Sequence, residues 1–196
     1  MDDGRVDVVG AVGTHLRREL GPAEPVSASV TFLGVQPLAV LRFGPDADRV
    51  VRYATAGCAR HPMGEPDELV VDPVRGPRAE LVVNLRGGVD GVLRSLAVLA
   101  ATPAVEGLVL QPDALVDLGT PLWEGSAFTA VLLGSSAEVV PLVLGEPYED
   151  VQFLDVVPLT GTEAAWVRLR GADALRTAWA EAGIDVRDPG RSAVTL

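Results

Sequence analysis

Residues 148–161, YEDVQFLDVVPLTG, read as a buried strand that ends in a turn and opens a helix. Val151, Phe153 and Val157 fall on one face at period two and Leu154 and Val156 on the other, so neither face is a solvent face and the strand is central. Pro158 cannot donate to a sheet ladder, which puts it at the strand's end. Thr160, followed three residues later by Glu163, fits a capping box that starts the next helix. The order at this junction is strand, turn, helix.

Working outward, two short helices follow at Glu163–Leu169 and Asp173–Ala182, broken at Gly171. Upstream, 128–133 and 139–144 read as strands joined by GSSAE, a hairpin. Pro103 to Trp123 is irregular, with a short strand near 108–110. Ala79 to Leu85 (AELVVNL) is a strand entering the GGVDG turn, and a helix from about Val89 to Thr102 buries Val92, Leu93, Leu96, Leu99 and Ala100. Three further β-rich runs, 26–32, 38–43 and 50–55, form an antiparallel meander. The N-terminal Val6–Leu20 has helical spacing at Val9, Val12, Leu16 and Leu20, and Gly21-Pro22 ends it. The segment AGCARHPMGEP is a loop, and 68–71 a short strand. The pattern predicts one α+β domain over residues 1–196, a mixed, mostly antiparallel sheet flanked by helices.

Composition narrows the function. The chain has 196 residues, 48% of them hydrophobic, enough for a sizeable core, and a formal charge of −11 with no lysine. That charge argues against a nucleic-acid-binding surface and toward basic partners. Cys58 stands alone, so no intrachain disulfide forms. The acidic start MDDGRVDVVG lacks the features of a secretory signal, and no apolar run reaches the length of a spanning helix. Both point to a soluble protein of the cytoplasm.

Four constellations carry possible chemistry. Cys58 and His61 are spaced as half a zinc site, or as a nucleophile and base for a small hydrolase, but four ligands or a third catalytic group are wanting. We expect no metal and no cofactor. Gly87, Gly88 and Gly91 lie between a strand and a helix, where backbone N–H groups can hold a phosphate; the plainer reading is a turn capped by Asp90. The carboxylates Glu65, Asp67 and Glu68, and again Glu146, Glu149 and Asp150, form acidic loops that can steer a cationic partner. Asp155 shares a strand face with Val151 and Phe153, and is either a buried acceptor satisfied by backbone donors or a contact point for a partner. Among the tryptophans, Trp166 and Trp179 lie in helices and read as core, whereas Trp123 is open to an interface role.

Beyond these readings, the chain resembles the suppressor of fused family. YATAG at Tyr53 resembles that family's aromatic-x-(S/T)-x-G segment, and AELVVNL its E-L-x-x-x-L strand. The Leu93–Ala101 helix, DLGTPL at 117–122 and FTAVLL at 128–133 follow in the same order. VQFLDVVPLTGTEAAW at 151–166 resembles the junction F-L-Q-(I/V)-V-x-(L/V)-(T/C)-x-x-E. The resemblance implies a non-catalytic, protein-binding α+β domain. Animal members look like sequestering partners for a transcription-factor peptide, bound as an added strand between two domains. Free-standing bacterial relatives are proposed as immunity proteins that neutralise toxin domains, and the arginine-only basic composition resembles a high-GC bacterial coding bias. The chain departs from the animal pattern in being too short for a second domain, and in reading CARHPMGE where they carry L-S-D-L-Y-G-D. Carried over by position, the family's groove-facing aromatic falls on Tyr53 and its acidic loop residue on Glu65.

Overall fold

The structure, a computed structural model, describes residues 6–21, 23–32, 36–64 and 72–195. One seven-stranded sheet runs in the order β1-β2-β3-β4-β7-β6-β5: β1 Val26–Val30, β2 Leu38–Phe43, β3 Val50–Ala56, β4 Arg78–Arg86, β5 Leu115–Asp117, β6 Phe128–Ser135 and β7 Val151–Thr160. Every neighbouring pair is antiparallel except β4 and β7 at the centre. The fold is α+β with a mixed sheet. The expected meander is β1 to β3, and the strand at 148–161 is β7, interior and buried on both faces.

The helices divide between the two faces. On one, α2 (Val92–Glu106) packs Leu96, Leu99 and Ala100 against Val51, Leu81, Val83, Val131, Leu154 and Val156. On the other, α1 (Val8–Leu20) lays Val12 and Leu16 against Ala54, Val82, Val151 and Phe153. Beside it α3 (Gly161–Arg170) and α4 (Ala172–Glu181) cover Ala130, Leu132 and Leu159 with Val167, Leu175 and Trp179. The even and odd residues of β7 thus serve different layers, as a period-two strand requires.

α2 runs past the expected stop at Thr102 because its proline is accommodated. Pro103 has no N–H for the Leu99 carbonyl four residues back, and the Thr102 hydroxyl donates to that carbonyl at 2.7 Å instead. Gly107, at φ 69°, then closes the helix with its N–H on Pro103 O. Pro158, by contrast, sits inside β7 rather than at its end. It is opposite Val131 of β6, in the part of β7 beyond the β4 register, which covers 151–155.

Two expected strands are not strands. The run 139–144 does not form a hairpin with β6, whose two sides are taken by β5 and β7. It crosses the α1 face instead, burying Val139 and touching the sheet through one bridge between Leu142 and Val151. His15 of α1 holds it there, with Nε2 bonded to Val140 O at 2.8 Å while Arg18 donates to Nδ1 and Phe153 stacks on the ring. Leu108–Leu110 is likewise no strand: Leu110 is buried against Met63, and the sheet is joined five residues later by β5. The stretch 68–71 lies outside the described residues.

Candidate functional site

The loop after β3 is built by two buried charges of β4 that composition alone does not single out. Gly57, at φ 132°, turns the chain into a single 3₁₀ turn, Cys58–Arg60. The Glu80 carboxylate, fully buried, accepts N–H bonds from Gly57 at 2.8 Å, Ala59 at 3.0 Å and Cys58 at 3.3 Å, and a hydroxyl bond from Thr55 at 2.6 Å. Burial raises its pKa, and those four donors pull against the rise. Arg78, on the same strand face two residues earlier, takes the other end of the turn: Nη1 donates to Ala59 O at 2.7 Å and Arg60 O at 3.1 Å, and Nη2 to Val74 O at 2.9 Å. Glu80 is the Glu of the E-L segment quoted above. A charged residue interrupting an apolar strand is the signal that could have found both.

This arrangement bears directly on Cys58 and His61. Burial, with the Glu80 charge beside it, raises the thiol pKa well above its ordinary value, the reverse of what an activated nucleophile needs. No group of three or more His, Cys, Asp or Glu able to hold a metal occurs among the described residues.

The glycine turn is also committed. Gly87 N–H donates to Arg49 O at 2.6 Å and Gly88 N–H to Leu85 O at 3.3 Å. The first N–H groups of α2, Val92 and Leu93, go to Val89 O and Asp90 O. A Cβ on Gly88 would stand 2.9 Å from Val51 Cγ2. The turn is tight because β3 lies under it, and the Gly87 and Gly88 donors are used. Contrary to the sequence reading of a turn capped by Asp90, that side chain makes no cap to α2; its Oδ1 accepts from Tyr53 Oη at 2.8 Å and Arg42 Nε at 3.0 Å. That pairing lowers the Asp90 pKa, while burial and the carboxylate raise that of Tyr53 to about 12.

Of the four residues named from sequence as partner contacts, Tyr53 and Asp155 lie on opposite faces of the sheet. Tyr53 is fully buried under α2, and only through Asp90 and Arg42 does its hydroxyl reach the surface. Asp155 lies on the opposite sheet face, since it pairs with Val82 and Val82 with Ala54, the neighbour of Tyr53. Its Oδ2 accepts from Ala137 N–H at 3.3 Å, its Oδ1 is buried without a partner, and burial raises its pKa. It is a half-satisfied buried acceptor. Glu149 is exposed in the loop leading into β7, close enough to Arg78 for its charge to be felt there. Glu65 lies outside the described residues. Trp179 is core and donates Nε1–H to Glu163 at 2.9 Å; Trp166 is partly buried, and Trp123 packs against Phe128.

The capping box read at the start of α3 forms, but β7 runs straight into the helix with no turn between them. Thr160 Oγ1 accepts from Glu163 N–H while the Glu163 carboxylate accepts from Thr160 N–H, a full capping box. The same carboxylate is fully buried and paired with Arg191 of the C-terminal tail, 2.6 Å from Nη1 and 3.0 Å from Nη2. The family model for Suppressor of fused protein (SUFU) matches residues 34–192, from before β2 to this tail. The chain belongs to the suppressor of fused family.

Solved structures of the family share the fold. A suppressor of fused homologue from Neisseria gonorrhoeae FA 1090 superposes with a TM-score of 0.74 at 20% identity, covering 97% of this chain and 98% of that one. A chain of the Sufu-Fu complex gives 0.70 at 13% identity, with 95% and 92% covered. Drosophila Suppressor of Fused gives 0.63 at 12% identity; 95% of this chain matches half of that longer one. A comparison with curated proteins found no match.

Proposed function

We propose that this chain is a non-catalytic protein-binding domain that acts in the cytoplasm by stoichiometric capture of a partner. The observation that carries the reading is the likeness, over nearly the whole of both chains, to a chain solved as part of a Sufu-Fu complex. Local chemistry supports it. The Cys58 thiol is held protonated, and the donors of the Gly87–Gly88 turn are spent within the fold, which weighs against both the hydrolase and the phosphate-binding alternatives. An open sheet edge supports it too: β1 has no strand beyond it among the described residues, and Val26, its first residue, is 66% exposed. An unpaired edge is a template for another chain.

The sharpest form is an immunity role, in which the partner is a basic toxin domain. The formal charge of −11 and the exposed Glu146, Glu149 and Asp150 favour encounter with a cationic surface. Co-expression with the product of the neighbouring gene tests it. A stable one-to-one complex that abolishes the neighbour's toxicity is expected; a toxic neighbour that neither binds nor is neutralised overturns the immunity role.

A further inference from the structure

Arg78 is one of four buried charged residues among those described, with Glu80, Glu163 and Arg191. It is only 2% exposed, yet among the described residues no carboxylate pairs with it. Its three hydrogen bonds all go to carbonyls, its Nε has no partner, and the Tyr148 ring covers the guanidinium at 5.6 Å. Carbonyl dipoles solvate a cation but do not neutralise it, and burying a charge without a counter-ion is costly. The guanidinium pKa is accordingly lowered, with burial the main cause and Tyr148, then the charge of Glu149, partial offsets.

Arg78 lies in the wall of a cleft of about 300 Å³ between the start of α1, the 3₁₀ turn and the segment before β4. Asp7, Arg60, His61, Val74 and Tyr148 line it with Arg78. The one carboxylate among them, Asp7, is spent capping α1 through Gly10 N–H at 3.0 Å. Among its described lining residues, a cleft in a chain of net charge −11 thus sets two arginines, Arg78 and Arg60, the latter also donating to Pro37 O at 3.1 Å, against one carboxylate.

We propose that this cleft is an oxyanion site, in which a carboxylate or phosphate seats against the unfilled N–H groups of Arg78 with Arg60 closing over it from the rim. An arginine edge offers two parallel donors, a geometry matched to either group. If the oxyanion comes from a protein it is an Asp or Glu side chain, and that version rests on the protein-binding reading above. If it comes from solution it is free phosphate. A basic partner steered in by the overall field would then be anchored by one of its few acidic groups.

The test is a titration of ¹⁵N-labelled protein, at ionic strength held constant with chloride, against a blocked aspartate (N-acetyl, C-amide) and separately against inorganic phosphate. The Arg78 Nε–H resonance and the Val74 and Arg60 amides are followed. A saturable shift with either probe supports the site, and the tighter probe names the source. Arg78→Lys should abolish the shift; because Arg78 also holds the turn, Arg60→Gln, which leaves the clamp intact, serves as the second variant and should weaken binding several-fold. No saturable shift with either probe, or the same shift with chloride alone, overturns the site. Partner capture that persists in that case leaves the protein-binding reading standing.

Discussion

Arg78 and Glu80, two residues apart on one face of β4, clamp opposite ends of the same 3₁₀ turn: Glu80 takes its N–H groups and Arg78 gives to its carbonyls. Neither charge pairs directly with the other. Glu80→Ala would orphan four donors, three of them backbone, and should cost about 3 kcal/mol or more in denaturant unfolding. The raised pKa sets the sign of its pH effect: the native state holds the proton more tightly, so this group's contribution falls as pH rises from its unfolded to its folded pKa. Glu80→Gln should flatten that part of the stability profile. An unchanged midpoint for Glu80→Ala would show that the clamp carries no stability.

The Glu163–Arg191 pair should make the tail a condition of folding. Burial pushes the Glu163 pKa up, but Arg191, Trp179 and Thr160 outweigh it and the net shift is downward. Its contribution is therefore complete above the ordinary glutamate pKa and is lost as pH falls from there through the lower folded value. Arg191→Ala leaves a buried carboxylate unpaired and should cost about 3–5 kcal/mol at neutral pH. Urea midpoints measured across that pH range check both, and Glu163→Gln should show less acid loss than wild type.

Phe153 carries the α1 layer, packed under Val12 and Leu16 and stacked against His15. Phe153→Ala should cost about 3–5 kcal/mol, a large part of the roughly 5–15 kcal/mol a domain has. Far-ultraviolet circular dichroism against denaturant gives the number, and a shift below about 1 kcal/mol would show that this strand is not core.

Tyr53 should resist ionisation until about pH 12. Ultraviolet titration should show this late component, and Tyr53→Phe should remove it while costing about 1 kcal/mol for the lost bond to Asp90. A Tyr53 that ionises in the ordinary tyrosine range would contradict the buried Tyr53–Asp90 contact.

Much of this was legible in the sequence where local periodicity and global packing agree. The two-faced strand β7, its capping box and the N-terminal helix each follow from side-chain spacing. What periodicity could not give was competition for sheet positions: 139–144 is as apolar as a strand, yet β6 had no free side for it and His15 offered another berth. The same limit hid β5, whose three residues carry too little pattern. At the site, the acidic loops and lone Cys and His drew notice because they are exposed chemistry or rare residues. The clamp did not, because a Glu and an Arg in a strand declare their role only once the turn they hold is folded against them.

The central claim is that this domain works by binding a protein, with its overall negative field guiding the encounter. The most direct measurement is the association and dissociation kinetics of the purified chain with the product of the neighbouring gene, at low and moderate salt, for wild type and Glu149→Arg. Attraction between charges farther apart than about 8 Å is screened at physiological salt. The account predicts that association slows with salt and with Glu149→Arg, while dissociation changes little. Binding whose association rate is indifferent to both would contradict the guiding role of the charge, and no detectable binding would contradict capture of that partner.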